Sequence, residues 1–129
     1  MPGELVRRAH PKPAPRKPAP KQPGESRTRG IVNARSGELC ERCGGPGHSI
    51  HHRKNRSQGG PWTPQNCVRL CGLGSGNPLC HGWIGDNRHA AEKDGWVVLR
   101  DQNPDLIPIT HWLHGAVLLD ATGGYELAA

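Results

Sequence analysis

Phenylalanine is absent from this chain, tyrosine and methionine occur once each, and aromatic residues make up only 4% of it. With 33% hydrophobic residues over 129 positions, there is material for one small core and not for two. Long apolar runs are lacking too: nothing in residues 1–30 resembles a signal peptide, and no stretch suits a membrane span. A reducing compartment, and so a cytoplasmic location, is the default expectation. Most of the chain also lacks a charge excess. Residues 31–129 carry nine Lys/Arg and nine Asp/Glu, whereas residues 1–30 carry eight Lys/Arg against Glu4 and Glu25. The whole formal charge of +6 therefore sits at the front.

What is abundant is turn chemistry, with 18 glycines and 13 prolines. Seven of those prolines fall in residues 1–30, as in His10-Pro11-Lys12-Pro13-Ala14-Pro15. Alternate prolines exclude helix and remove ladder donors, so this segment reads as a disordered, partly polyproline-II arm. It is either a solvated tail or a non-specific phosphate-binding arm, with a proline-rich protein ligand as a weaker third reading. A fold with fewer than ~80 ordered residues commonly needs a metal or disulfides. Five cysteines in a reducing setting, two of them in Cys40-Glu41-Arg42-Cys43, favour zinc. Cys71 and Cys80 would complete a closed four-cysteine site, with Gly72–Leu79 as a tolerated insertion at its tip. Cys67, inside the run Cys67-Val68-Arg69-Leu70, reads as a buried small apolar residue.

Ile50-His51-His52-Arg53 is the densest chemical signal. Adjacent strand residues point to opposite faces, so the two histidines need a local bend or separate roles. A metal site that cuts phosphodiesters uses such a pair, one imidazole ligating the ion and the other taking a proton from water.

Cys40-x-x-Cys43, His51-His52-Arg53, Gly59-Gly60-x-Trp62, Asn66, Leu70-Cys71-Gly72 and Cys80-His81-Gly82-Trp83-Ile84 together resemble the HNH endonucleases of the ββα-metal fold. More narrowly, they resemble the small zinc-knuckle HNH proteins of bacteriophages and actinobacteria. The resemblance covers roughly residues 39–94. It implies His51 and His81 as ligands of a catalytic divalent ion (Mg2+, Mn2+, Ni2+, Co2+ or Zn2+), His52 as general base, and Asn66 as the residue that pins the loop behind it. Many relatives carry another histidine four residues after the helical ligand, and here that position is Gly85. Arg53, Lys54 and Arg56 form a basic cluster suited to DNA phosphate. DNA is the implied partner, with phage packaging proteins such as terminase if the chain is phage-encoded, which would place it in the host cytoplasm; no membrane contact is implied.

The remaining residues read as scaffold. Trp62 is expected to pack on the core, His48 and His89 to be ordinary surface histidines, and His111, Trp112 and His114 to pack together. Asp86 and Asn87 suggest a cap for a helix over residues 88–94. Trp96–Leu99 and Ala116–Leu119 read as strands, with Ile107–Ile109 an edge segment. The expected architecture is a small α+β fold in three parts. These are a disordered arm over residues 1–30, a zinc-knuckle ββα-metal domain over 31–95, and a β-hairpin extension over 96–129. The expected function is endonucleolytic hydrolysis of DNA. The alternative is a catalytically weak or inactive zinc-knuckle DNA-binding or assembly factor.

Overall fold

The computed structural model describes residues 20–73 and 78–128. In it the chain is a small α+β protein. A helix α1 (Glu25–Ser36) is followed by strands β1 (Ser49–His52) and β2 (Cys67–Leu70), then helices α2 (Leu79–Asp86) and α3 (Arg88–Lys93). Strands β3 (Ile109–His111), β4 (Gly115–Leu119) and β5 (Tyr125–Leu127) complete it. β1 and β2 form an antiparallel ribbon, and β3-β4-β5 form a second antiparallel sheet. Among the described residues no helix is long and apolar enough to cross a membrane.

The β1-β2 ribbon has two faces, and its register defines them. His51 lies opposite Val68 and Ser49 opposite Leu70, while His52 lies opposite Cys67 and Ile50 opposite Arg69. Val68 and Leu70 enter one core cluster with Cys80 and Ile84 of α2, and with Trp96, Ile109, Val117 and Leu119. The other face meets α1, where Arg69 donates to Asn33 Oδ1 at 2.7 Å. The ribbon is thus packed between α1 and α2, and the segment from Trp96 onward shares the α2-side core.

Three expectations need correction. The expected arm lies outside the described residues for positions 1–19, but its last six residues, Glu25–Gly30, are helical. The proline spacing ends at Pro23, and the Arg29–Glu25 ion pair at 2.9 Å supports the first turns. Gly24 caps α1 in a left-handed conformation (φ 77°), and a Cβ there would sit 2.7 Å from the Trp62 carbonyl oxygen, so glycine permits that close approach. Thr28 Oγ1 donates to the same carbonyl at 2.8 Å. Second, Trp96–Val98 is buried but is not a strand. Its backbone is used by β1: Val98 N donates to Arg53 O at 2.9 Å, and Trp96 O bonds His51 Nε2 at 2.8 Å. Third, the C-terminal hairpin is a three-stranded sheet. Its last turn is closed by Asp120, whose Oδ1 accepts from Thr122 N and Gly124 N.

The centre of the molecule holds a buried ion pair. Arg35 and Glu41 side chains are both 0% exposed, with Arg35 Nε donating to Glu41 Oε1 at 2.8 Å. Tyr125 Oη also donates to Oε1, and Arg69 N to Oε2. Arg35 completes its bonds on the Pro64 and Cys67 carbonyls. A buried pair is weak as a net source of stability, but removing one partner strands the other charge at a cost of ~3–5 kcal/mol. Glu41→Gln is therefore expected to lower the unfolding free energy by about that amount, and Tyr125→Phe by only about 1 kcal/mol. Urea denaturation checks both, and a Glu41→Gln protein as stable as wild type would remove the network from the centre of the fold.

Candidate metal centres

The Cys40–Cys43 segment turns back on itself through Gly44 N donating to Cys40 O (2.8 Å) and Cys40 N donating to Gly45 O (2.6 Å). That turn carries two sulfurs to the same side, where Cys71, just past β2, and Cys80, in the first turn of α2, meet them. The four Sγ atoms lie within 4.8 Å of one another, and those of Cys43 and Cys71 are 3.7 Å apart. Four thiolates around one ion at ~2.3 Å have edges of about 3.8 Å, so the donor set fits a closed tetrahedral ion. Polar hydrogens already point at these sulfurs. Gly45 N donates to Cys43 Sγ, Cys80 N to Cys71 Sγ, and Arg42 Nη1 to Cys80 Sγ at 3.2 Å. The Arg42 guanidinium also lies 3.8 Å above the Trp83 ring, which holds its charge beside the cluster. Cys67 stands apart, fully buried, its thiol pushed up to about 12 by burial; it is the uncharged filler the sequence suggested.

On the α2 side of the ribbon, His51 and His81 come together edge to face with ring centroids 5.2 Å apart. Their outer hydrogen bonds fix which nitrogens are free. His51 Nε2 donates to the Trp96 carbonyl at 2.8 Å, leaving its lone pair on Nδ1. Ser49 Oγ spends its own proton on Gly72 O and accepts from His81 Nδ1 at 2.7 Å, leaving the His81 lone pair on Nε2. Metal-ligating histidines are oriented by this kind of second hydrogen bond. Each ring thus keeps one nitrogen lone pair free of a protein partner. Ser49 and the Trp96 carbonyl escaped the sequence reading. Ser49 carries a signal in retrospect, since it shares the His51 face two residues earlier.

His52 lies elsewhere. β1 has no bulge, so His52 leaves it on the α1 face, edge-on to Trp62 with centroids 4.3 Å apart. Its Nε2 is buried and has no hydrogen-bond partner among the described residues. Trp62 packs here, under the Arg29 guanidinium at 4.7 Å, and not within the main core cluster. Asn66 is buried and clamps the loop after β1: its Oδ1 accepts from Lys54 N, and its Nδ2 donates to Lys54 O and Pro61 O.

The basic cluster divides. Arg53 is 1% exposed and donates to the carbonyls of Gly95, Gln65, Pro104 and Ile107. It is therefore a structural tie to the C-terminal segment, not the DNA contact expected of it. Lys54 Nζ is held on Gln102 O at 2.8 Å, and Arg56 alone of the three is exposed. Of the other histidines, His48 and His89 are both exposed as expected, His48 with its Nδ1 accepting from Gly72 N and His89 on α3. His111 stacks with Trp112 and His114 and lies tilted against Tyr125, as packing predicted. Asn87 precedes α3, but its side chain caps nothing there and donates back to Trp83 O. Gly85 is exposed, and a side chain added there would meet nothing within 4 Å.

Residues 40–73 match the family model described as HNH endonuclease. Curated proteins and solved structures yield no match to the chain.

His51 and His52 both have pKa values lowered to about 4, in each case chiefly by burial; Arg56 and Arg29 add to the effect at His52. Unfolded, each titrates near 6.5, so between about pH 6.5 and 4 the unfolded chain binds more protons than the folded one. Stability is expected to be flat in these groups above pH 6.5 and to fall as the pH drops toward 4. Urea midpoints at pH 7.5, 6 and 5 for wild type and a His51→Gln/His52→Gln double variant read this directly. The wild type should show the steeper loss, and parallel profiles would contradict it.

Proposed function

We propose, from the match of residues 40–73 to the HNH endonuclease family model, that this chain is a metal-dependent endonuclease that hydrolyses DNA phosphodiesters. The observation that carries the reading is the His51–His81 pair, two rings at 5.2 Å with both lone-pair nitrogens set by outer hydrogen bonds. A divalent ion held there (Mg2+, Mn2+, Co2+, Ni2+ or Zn2+) supplies positive charge that offsets the charge growing on the phosphoryl oxygens. Structural Zn2+ is the ion proposed for Cys40, Cys43, Cys71 and Cys80, whose soft, closed donor set excludes solvent and substrate. It holds the start of α2, and hence His81, against the ribbon.

His52 is the proton acceptor of this reading. Neutral at pH 7, with an unpartnered Nε2, it has the protonation state a general base requires. Asn66 acts as a positioning residue, because its three bonds to Lys54 and Pro61 fix the loop that leaves β1 at His52. DNA is bound through backbone phosphates. Side chains aimed at base edges are not part of the reading, so weak sequence preference follows. For a phage-encoded enzyme, packaging proteins such as terminase are the proposed partners.

Two observations favour the second reading, a DNA-binding factor with weak or no catalysis. His52 lies on the opposite face of β1 from the His51–His81 pair. Only two protein ligands serve the ion, with Gly85 where relatives carry a third.

Supercoiled-plasmid cleavage at low salt in each divalent metal separates the two. The enzyme reading expects nicking by wild type that His81→Ala abolishes and His52→Ala lowers at least about 100-fold, the usual span of general-base catalysis. Gly85→His, on open surface, is expected to tighten metal dependence. Retained DNA binding without cleavage in any metal would select the binding factor. Full activity in His81→Ala would overturn the site assignment. Purified protein is expected to carry one tightly held zinc, and Cys80→Ser to lose it together with the fold; metal analysis and circular dichroism decide that point separately.

A further inference from the structure

Ser49 stands where the cysteine cluster meets the histidine pair. It opens β1, two residues before His51 and on the same face of the ribbon. Cys71 and Cys80 both belong to the cluster, and each is followed at once by a group that reaches Ser49: the Gly72 carbonyl and the His81 ring. Gly72 is also held from its other side, because its N–H donates to His48 Nδ1 at 2.8 Å. The His81 backbone is tied to the same stretch, with His81 N donating to Cys71 O at 3.0 Å.

The direction of the two Ser49 hydrogen bonds follows from what each partner can do. A carbonyl oxygen accepts and never donates, so the bond to Gly72 O uses the only hydroxyl proton of Ser49. The bond to His81 Nδ1 at 2.7 Å then forms only when the ring carries its proton on that nitrogen. A neutral imidazole has one such proton, so Nε2 keeps the lone pair. In water a free neutral histidine ring prefers the opposite arrangement, with the proton on Nε2, where it would occupy the nitrogen that an ion needs. Something must reverse that preference, and among the described residues Ser49 alone bonds the His81 ring nitrogens.

We propose that Ser49 is a positioning residue for the metal-dependent hydrolysis: its hydroxyl, oriented by the Gly72 carbonyl, locks His81 as the Nδ1–H tautomer and presents Nε2 to a divalent ion. This rests on the reading of His51 and His81 as ion ligands. It joins the two centres, since the carbonyl that orients Ser49 belongs to the residue after Cys71. The cysteine cluster therefore governs which His81 nitrogen is free as well as where the ring stands.

The test uses the full-length protein with zinc in its cysteine cluster, at pH 7.5. Ring 15N shifts of His81, assigned in histidine-labelled protein against a His81→Gln control, report the tautomer before any second ion is added. Ni2+, which imidazole ligands suit, is then titrated by calorimetry, and metal analysis verifies that the zinc stays in place. Wild type is expected to show the Nδ1–H pattern. Ser49→Ala should move His81 toward the Nε2–H pattern and weaken Ni2+ binding by about 10–100-fold, the usual cost of losing such a partner. Ser49→Thr keeps the hydroxyl at a strand position and should restore both, with the zinc content and circular dichroism of wild type. A tautomer and an affinity unchanged in Ser49→Ala would overturn the inference alone. Wild type that binds no Ni2+ would overturn the ion-ligand reading as well, whatever the tautomer does.

Discussion

The carboxylate of Glu41 has no contact with solvent, and α1, β2 and β5 are all tied to it. It sits between the first two knuckle cysteines and takes hydrogen bonds from Arg35 of α1, Arg69 of β2 and Tyr125 of β5. Its own backbone carbonyl accepts from Trp112 N. A buried charge is tolerated only when paired and fully bonded, so these elements must arrive together or not at all. In a chain without phenylalanine, such a constraint specifies the arrangement where apolar volume is scarce. Arg53 repeats the principle on a smaller scale, since four carbonyls from three loop segments converge on one guanidinium.

The two buried centres serve the cysteine cluster and the histidine pair in a definite way. The turn that presents Cys40 and Cys43 also carries Glu41 and Arg42, so the cluster is braced on one side by Glu41 and capped on the other by Arg42 against Trp83. Cys80 brings the start of α2 into the cluster, and His81 follows at once. His81 on α2 is therefore positioned through its sequence neighbour. His51 is positioned differently, by the carbonyl of Trp96, which reaches β1 because Arg53 holds the following segments in place. Placement of the histidine pair thus depends on two structural devices, neither of which touches the ion it would hold.

The flat, ordinary pairing of β1 with β2 separates the two histidines that the sequence sets side by side. Alternation sends His51 to α2 and His52 to α1. The proton acceptor of a hydrolytic reading and the ligand pair consequently occupy different surfaces, and the α1 face has its own buried, unmatched nitrogens. The same sandwich explains why both rings stay neutral at ordinary pH, since each is packed among apolar or cationic neighbours that penalise a further charge.

Much was legible in the residues alone. Cysteine spacing located the four-sulfur cluster, the His51-His52, Asn66 and Cys80-His81 order located the ββα ribbon and helix, and alternation warned that the histidines would part. These are local or short-period signals, and chain order carries them. The first half of helix α1 was hidden because only Thr28 and Val32 of its twelve residues are buried, too thin a stripe to show as periodicity. Arg53 was misread because a charged residue beside a motif looks the same whether it meets phosphate or four carbonyls. Trp96–Val98 has strand composition, yet its hydrogen bonds are taken by side chains and loops instead of a ladder. Residue order by itself determined which side chains were available for metal and which stood next to one another. Which of them share a face, which cations are buried, and which nitrogens remain free was decided only by tertiary packing, because burial and hydrogen-bond satisfaction depend on neighbours distant in the chain.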